Sequence, residues 1–225
     1  MANFCKKSQI LRGGAQQKKS RQSGRSMIEM LGVLAIIGVL SIGSISAYSR
    51  AMLRYRLNRQ YEQLHMIMTA IEKIGNTFMS LPQTTSLTKT FVNLNEVPSE
   101  MVVDGSNYLK DIFGLNWYIY YIYDTSSNLK DISLTSYSGQ LFPKNKNTLE
   151  ICHNVVKLAQ AHHDTVLYIS AGSGWGAGDE HVGVTFYGDR SCLSWRKCLR
   201  DMTLDDINEL CNKHSKSDAE FKITW

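Results

Sequence analysis

From Met27 to Ala47 every position is apolar or small except one, Glu29. About 20 such residues, rising about 1.5 Å each, are enough to cross the core of a bilayer. The run does not end there, because Leu53, Leu57, Tyr61, Leu64, Met68, Ile71, Ile74 and Phe78 recur every three or four residues, the spacing of one helical face. No proline stands between residues 25 and 78. The pattern predicts one helix of about 50 residues, roughly 75 Å long, apolar all round in its first half and amphipathic in its second. Gly75 and Asn76 supply a stop. "SIGSISA" imitates the cut site of a secretory signal, but the unbroken passage into further helix pattern argues against one.

Beyond Ser80 the pattern changes. "LPQTTSLTKT" reads as a polar linker. Residues 117–123, dense in Trp, Tyr and Ile, predict a buried strand and 129–137 a second, with "DTSSN" as the turn of a hairpin. Leu149, Cys152, Val155, Val156 and Ala159 are spaced for a helix over 147–162, and "TVLYIS" and "HVGVTFYG" follow as strands. A later helix fits 203–213, with Thr203 as its N-cap and Asp205 and Asp206 in the first turn, where acids favour the helix dipole. "AEFKITW" reads as a closing strand. One long helix followed by an antiparallel sheet with packed helices is an α+β arrangement.

Charge changes the picture at one end only. The formal charge is +5, but residues 1–24 hold six basic residues and no acid, which leaves 19 basic against 20 acidic residues in the rest. That near-neutral body argues mildly against nucleic acid as a partner. The basic segment before the apolar run places residues 1–24 in the cytoplasm and the body across the membrane, although Arg50, Arg54, Arg56 and Arg59 blunt the asymmetry.

Cysteines divide the same way: Cys5 lies in the basic segment, and Cys152, Cys192, Cys198 and Cys211 lie in the last third. An even set beyond a membrane span is what an oxidising compartment uses for two bridges, with three connectivities open. The spacings lack the close CxxC pairs of common zinc modules, so no metal site is expected.

Other chemistry is weakly supported. Gly172, Gly174 and Ala177 have the spacing of a dinucleotide loop, but strand character follows where a helix is required. Ser173 lacks the GxSxG context of a nucleophile elbow. His162, His163 and Asp164 are adjacent and point in different directions on a helix, so they read as a solvated helix end; Asp179, Glu180 and His181 form a second polar cluster. The aromatic run Trp117, Tyr118, Tyr120, Tyr121 and Tyr123 reads as core plus sheet face.

Residues 18–50 resemble the type IV prepilins and related pseudopilins. The resemblance rests on a basic leader ending in Gly24, the run "RSMIE" behind it, Glu29 at the fifth position after that glycine, and an apolar helix that continues into an amphipathic half. It implies that an inner-membrane prepilin peptidase cuts between Gly24 and Arg25 and methylates the new amine of Arg25. A carboxylate in lipid costs several kcal/mol, of the order of 3, unless it is paired. The resemblance supplies the partner: the amine of an incoming subunit meets Glu29 of its neighbour, and the pair fixes axial register because misalignment leaves a buried charge alone. A plain signal anchor would instead carry Glu29 near the headgroups.

In the family pattern residues 1–24 are the cleaved leader, 25–50 the membrane and filament-core half of the helix, 51–78 its amphipathic half, and 79–225 an α+β head with disulfides. "VPSEM" followed by "LKDIFG" is similar to the early globular segment of type IVb-like pilins. That similarity implies a bridge from Cys152 to one of Cys192, Cys198 or Cys211, the other two pairing together. Arg25 departs from the family, which usually carries an apolar residue there. Many relatives also have a proline in the membrane half; here Gly32, Gly38 and Gly43 are the softer points, at about 1 kcal/mol each relative to alanine.

The expectation is a structural subunit without catalytic residue or cofactor. It sits in the bacterial inner membrane before an assembly platform builds copies of it into a surface filament. A type II secretion pseudopilin or a minor pilin, which shares the leader and the helix, is the alternative within the same class. A membrane-anchored periplasmic binding protein, using the Gly172–Gly178 loop for a ligand, is the reading of a different class.

Overall fold

A computed structural model describes residues 26–125, 128–137, 147–173, 183–213 and 219–225. Gly24, Arg25, Cys5 and the cluster Asp179, Glu180 and His181 lie outside the described residues, as do positions 174–178 of the glycine-rich loop. The chain divides into two units, one up to Tyr48 and one from Ser49.

Helix α1 covers Met27–Ile74 and gives way to a 3-10 turn at Gly75–Phe78, where the stop was expected. In the first unit every described residue is exposed, from Met27 at 83% to Tyr48 at 66%. The helix is long and apolar enough to cross a membrane by length and composition.

The second unit is α+β. After the 3-10 turn come β1 (Thr85–Ser86), α2 (Thr88–Asn93), β2 (Leu109–Lys110), β3 (Asn116–Asp124), β4 (Leu129–Tyr137), α3 (Thr148–Ala161), β5 (Tyr168–Ser173), β6 (Gly183–Tyr187), α4 (Leu204–Lys213) and β7 (Ala219–Thr224). The seven strands form an antiparallel sheet in the order β1-β3-β4-β7-β5-β6, with β2 also on β3. The pairing registers put Ile119, Leu134, Ile223, Ile169 and Phe186 in one row across five strands, all 1% exposed or less. Period-two alternation does this: Trp117, Ile119 and Tyr121 point inward, while Tyr118 and Tyr120 stack on the other face.

The second half of α1 packs into this core through Leu64, Ile67, Met68, Ala70 and Ile71. At its end a Cβ on Gly75 would stand 2.9 Å from the side chain of Ile132, so glycine there permits close approach to β4 as well as ending the helix. Thr203 caps α4 as expected and does so reciprocally: its Oγ1 accepts from the Asp206 N–H at 3.2 Å, and the Asp206 carboxylate accepts from the Thr203 N–H at 3.0 Å.

Two expectations change. The polar linker at 81–90 holds β1 and the start of α2, with Leu87 and Thr88 buried and Phe91 beside them. Its hydroxyls are structural: Thr88 Oγ1 accepts from the Ile119 N–H, and Thr84 Oγ1 accepts from the Tyr123 N–H, each at 3.0 Å. The closing strand forms as expected, and β7 lies between β4 and β5. Leu149, assigned to the buried face of α3, is 40% exposed, and Ile151 and Leu158 take that face with Cys152, Val155, Val156 and Ala159.

Candidate functional site

The first unit has one charged side chain in its apolar stretch, and that side chain is in use. Ser26 is the residue before α1, and its carbonyl accepts the first helical hydrogen bond, from Met30 N–H at 3.1 Å. Glu29 Oε2 accepts from the Ser26 N–H at 3.1 Å. This is the returning half of a capping box, written in the sequence as S-x-x-E. The signal is local and legible in the sequence.

Further along, Ser41 and Ser44 donate their hydroxyls to the carbonyls of Ile37 and Leu40 at 2.7 and 2.6 Å. Their polarity is thereby satisfied within the helix, which suits an apolar surrounding. A Cβ added at Gly32, Gly38 or Gly43 would meet nothing within 4 Å, so no contact among the described residues explains these glycines. Small residues on a bare apolar helix let another helix approach closely.

In the second unit, α1 is fastened by a buried polar lock. Asp111, 5% exposed, accepts four hydrogen bonds: from Gln60 Nε2 at 2.7 Å, Trp117 Nε1 at 3.1 Å, and the N–H groups of Phe113 and Leu115 at 2.9 Å each. Burial pushes its carboxyl above the ordinary range, against the pull of the hydrogen bonds from Gln60, Leu115, Trp117 and Phe113. Gln60 Oε1 accepts in turn from Asn154 Nδ2 on α3 at 3.1 Å. Gln63 Oε1 accepts from the Ile112 N–H at 3.1 Å. Arg59 pairs with Glu100, and Arg56 donates to the Ile112 carbonyl at 2.9 Å while its guanidinium lies 5.0 Å from the Phe113 ring. The segment "LKDIFG" is thus clasped to one side of α1.

All four partners of Asp111 are donors, so an amide nitrogen in place of one oxygen would face other donors. Asp111→Asn is expected to destabilise the second unit by about 2–3 kcal/mol, read as a lowered denaturation midpoint in urea. An unchanged midpoint would show that the lock contributes nothing.

Two bridges close the second unit. Cys152 on α3 joins Cys211 on α4, with Cα atoms 5.8 Å apart, and Cys192 joins Cys198, at 5.5 Å. This selects one of the three connectivities the sequence left open. The first bridge is buried, both cysteines being 3% exposed, while the second closes a surface loop carrying Trp195 at 73% exposure.

The histidines behave differently from a solvated helix end. His162 caps α3, and its Nδ1 lies 2.8 Å from Glu72 Oε1 on α1, with only 13% of its side chain exposed. His163 Nδ1 lies 3.0 Å from Asp189 Oδ2. Both partners are distant in sequence, so helix-end spacing alone gave no sign of them. Gly172 and Ser173 end β5.

These features define an α+β protein with a disulfide-stapled, sheet-based unit and a membrane-length apolar helix at the N-terminal side. Among protein-family models and curated proteins, none matches the chain.

Proposed function

We propose that the chain is a structural subunit of a type IV pilus-like filament, cut by prepilin peptidase between Gly24 and Arg25 and assembled through the first half of α1. The observation that carries this reading is the exposed apolar helix itself, with Glu29 in its first turn and residues 27–45 bare along their length. A surface of this size needs lipid or protein around it. A filament core of packed helices supplies protein after the membrane has supplied lipid.

The leader, the methylated Arg25 amine and the assembly platform follow from the resemblance of residues 18–50, and the disulfides suit a head exposed outside the cell. Secretion pseudopilins and minor pilins share this design, so the reading stands at the level of the filament class. Its test is localisation. Co-produced with a prepilin peptidase and an assembly platform, the chain is expected in sheared surface filaments; confinement to the membrane fraction would contradict the reading.

A further inference from the structure

His65 and His162 face one another across the contact between α1 and the end of α3. His65 Nδ1 lies 2.8 Å from His162 Nε2, although the residues are 97 positions apart in sequence. His65 is on the exposed side of α1, and Tyr61, one turn earlier, stacks on its ring with centroids 6.1 Å apart. Glu72, two turns further along, holds the far nitrogen of His162 at 2.8 Å. The same Glu72 oxygen accepts the Thr165 hydroxyl at 2.5 Å, so the carboxylate is itself oriented.

We propose that His65 and His162 form a two-histidine site for a divalent transition-metal ion of the imidazole-preferring kind, such as Zn²⁺, Cu²⁺ or Ni²⁺, with water in the other coordination positions. Three observations converge on it. Nδ1–H of His162 donates to Glu72, which leaves the Nε2 lone pair aimed at His65. That carboxylate–histidine arrangement is the one that orients and strengthens metal-bound imidazole. The opposing nitrogen belongs to an exposed ring, so an ion and its waters have access. Two imidazoles on a tetrahedral ion at about 2.0–2.1 Å place their nitrogens about 3.3 Å apart, a small adjustment of two side chains from the observed separation.

Among the described residues no group of three or more His, Cys, Asp or Glu converges on an ion, so the site is a surface clip and not a closed structural cage. Its effect is to tie α1 to the C-terminal end of α3. An ion bound by the folded state alone raises stability with concentration. The metal classes that favour imidazole follow from ligand softness.

The test uses the full chain in detergent with both disulfides intact and Cys5 replaced by serine, which removes the one thiol outside the two bridges. Zn²⁺ is titrated calorimetrically, and the melting temperature is followed against Zn²⁺ concentration. Wild type is expected to bind an equivalent that His65→Ala and His162→Ala each lack, and Glu72→Gln is expected to weaken it by about 10-fold or more. Because His65 is exposed, His65→Ala is expected to melt like wild type without metal and to lose the Zn²⁺-dependent rise. An unchanged Zn²⁺ isotherm and an unchanged rise in His65→Ala would overturn the proposal and leave a histidine–histidine hydrogen bond. Absence of Zn²⁺ binding by wild type would overturn it equally.

Discussion

Glu29→Gln is expected to leave membrane insertion intact and to reduce filament yield by about 100-fold. Two roles compete for this residue, and the substitution separates them. Glutamine still accepts from the Ser26 N–H, the hydrogen bond observed at 3.1 Å, because Glu and Gln both serve at this position of a capping box. What it loses is the charge. If that carboxylate pairs with the Arg25 amine of a neighbouring subunit inside a helix bundle, its removal leaves a buried ammonium alone, at about 3–5 kcal/mol per contact. Since each 1.4 kcal/mol is a factor of about ten, a deficit of this size stops growth of a filament. Shearing and quantitative blotting read the result. If Glu29→Gln assembles like wild type while Glu29→Ala fails, the residue caps a helix and does not set register.

Removing the buried bridge carries the second large effect. Cys152 and Cys211 enclose a loop of 59 residues, for which loop-closure entropy gives a stabilisation of about 4 kcal/mol. Cys152→Ser with Cys211→Ser is expected to lower the melting temperature by about 10 °C. The Cys192–Cys198 bridge spans 6 residues, and its loss is expected to cost about 2 kcal/mol. Exposure orders the two under limiting reductant: alkylation mapped by mass spectrometry should find Cys192 and Cys198 labelled before Cys152 and Cys211. Equal loss of stability from both pairs would contradict the loop-length account. The location explains the asymmetry, because the long bridge joins α3 to α4 beside the core, and the short one only shapes a surface loop.

The parts of the fold that were legible share a cause: their signals are local. The bounds of α1, the hairpin of β3 and β4, the buried face of β3 and the Thr203 cap all follow from spacing or composition within a few turns or strand residues. What stayed hidden depends on partners far along the chain. Thr88 and Leu87 look like linker residues until β3 is laid beside them, 31 positions later in the case of the Thr88–Ile119 hydrogen bond. Gln60 and Gln63 sit on the packed face of α1, where periodicity calls for apolar residues; Asp111 and the Ile112 N–H explain them. His162 seemed a helix end open to water because Glu72 and His65 lie about 90 residues before it. The capping role of Glu29 is local and readable, since Ser26 and Glu29 stand at the spacing of a capping box.

The central claim is that this chain is made as a prepilin. The measurement closest to it is the intact mass and N-terminal sequence of the membrane-extracted chain, produced with and without a prepilin peptidase. The account predicts a peptidase-dependent start at Arg25, with a methyl group on its amine. A chain that keeps its Met1 leader in the presence of the peptidase, or one cut near "ISA" at residues 45–47, would contradict it.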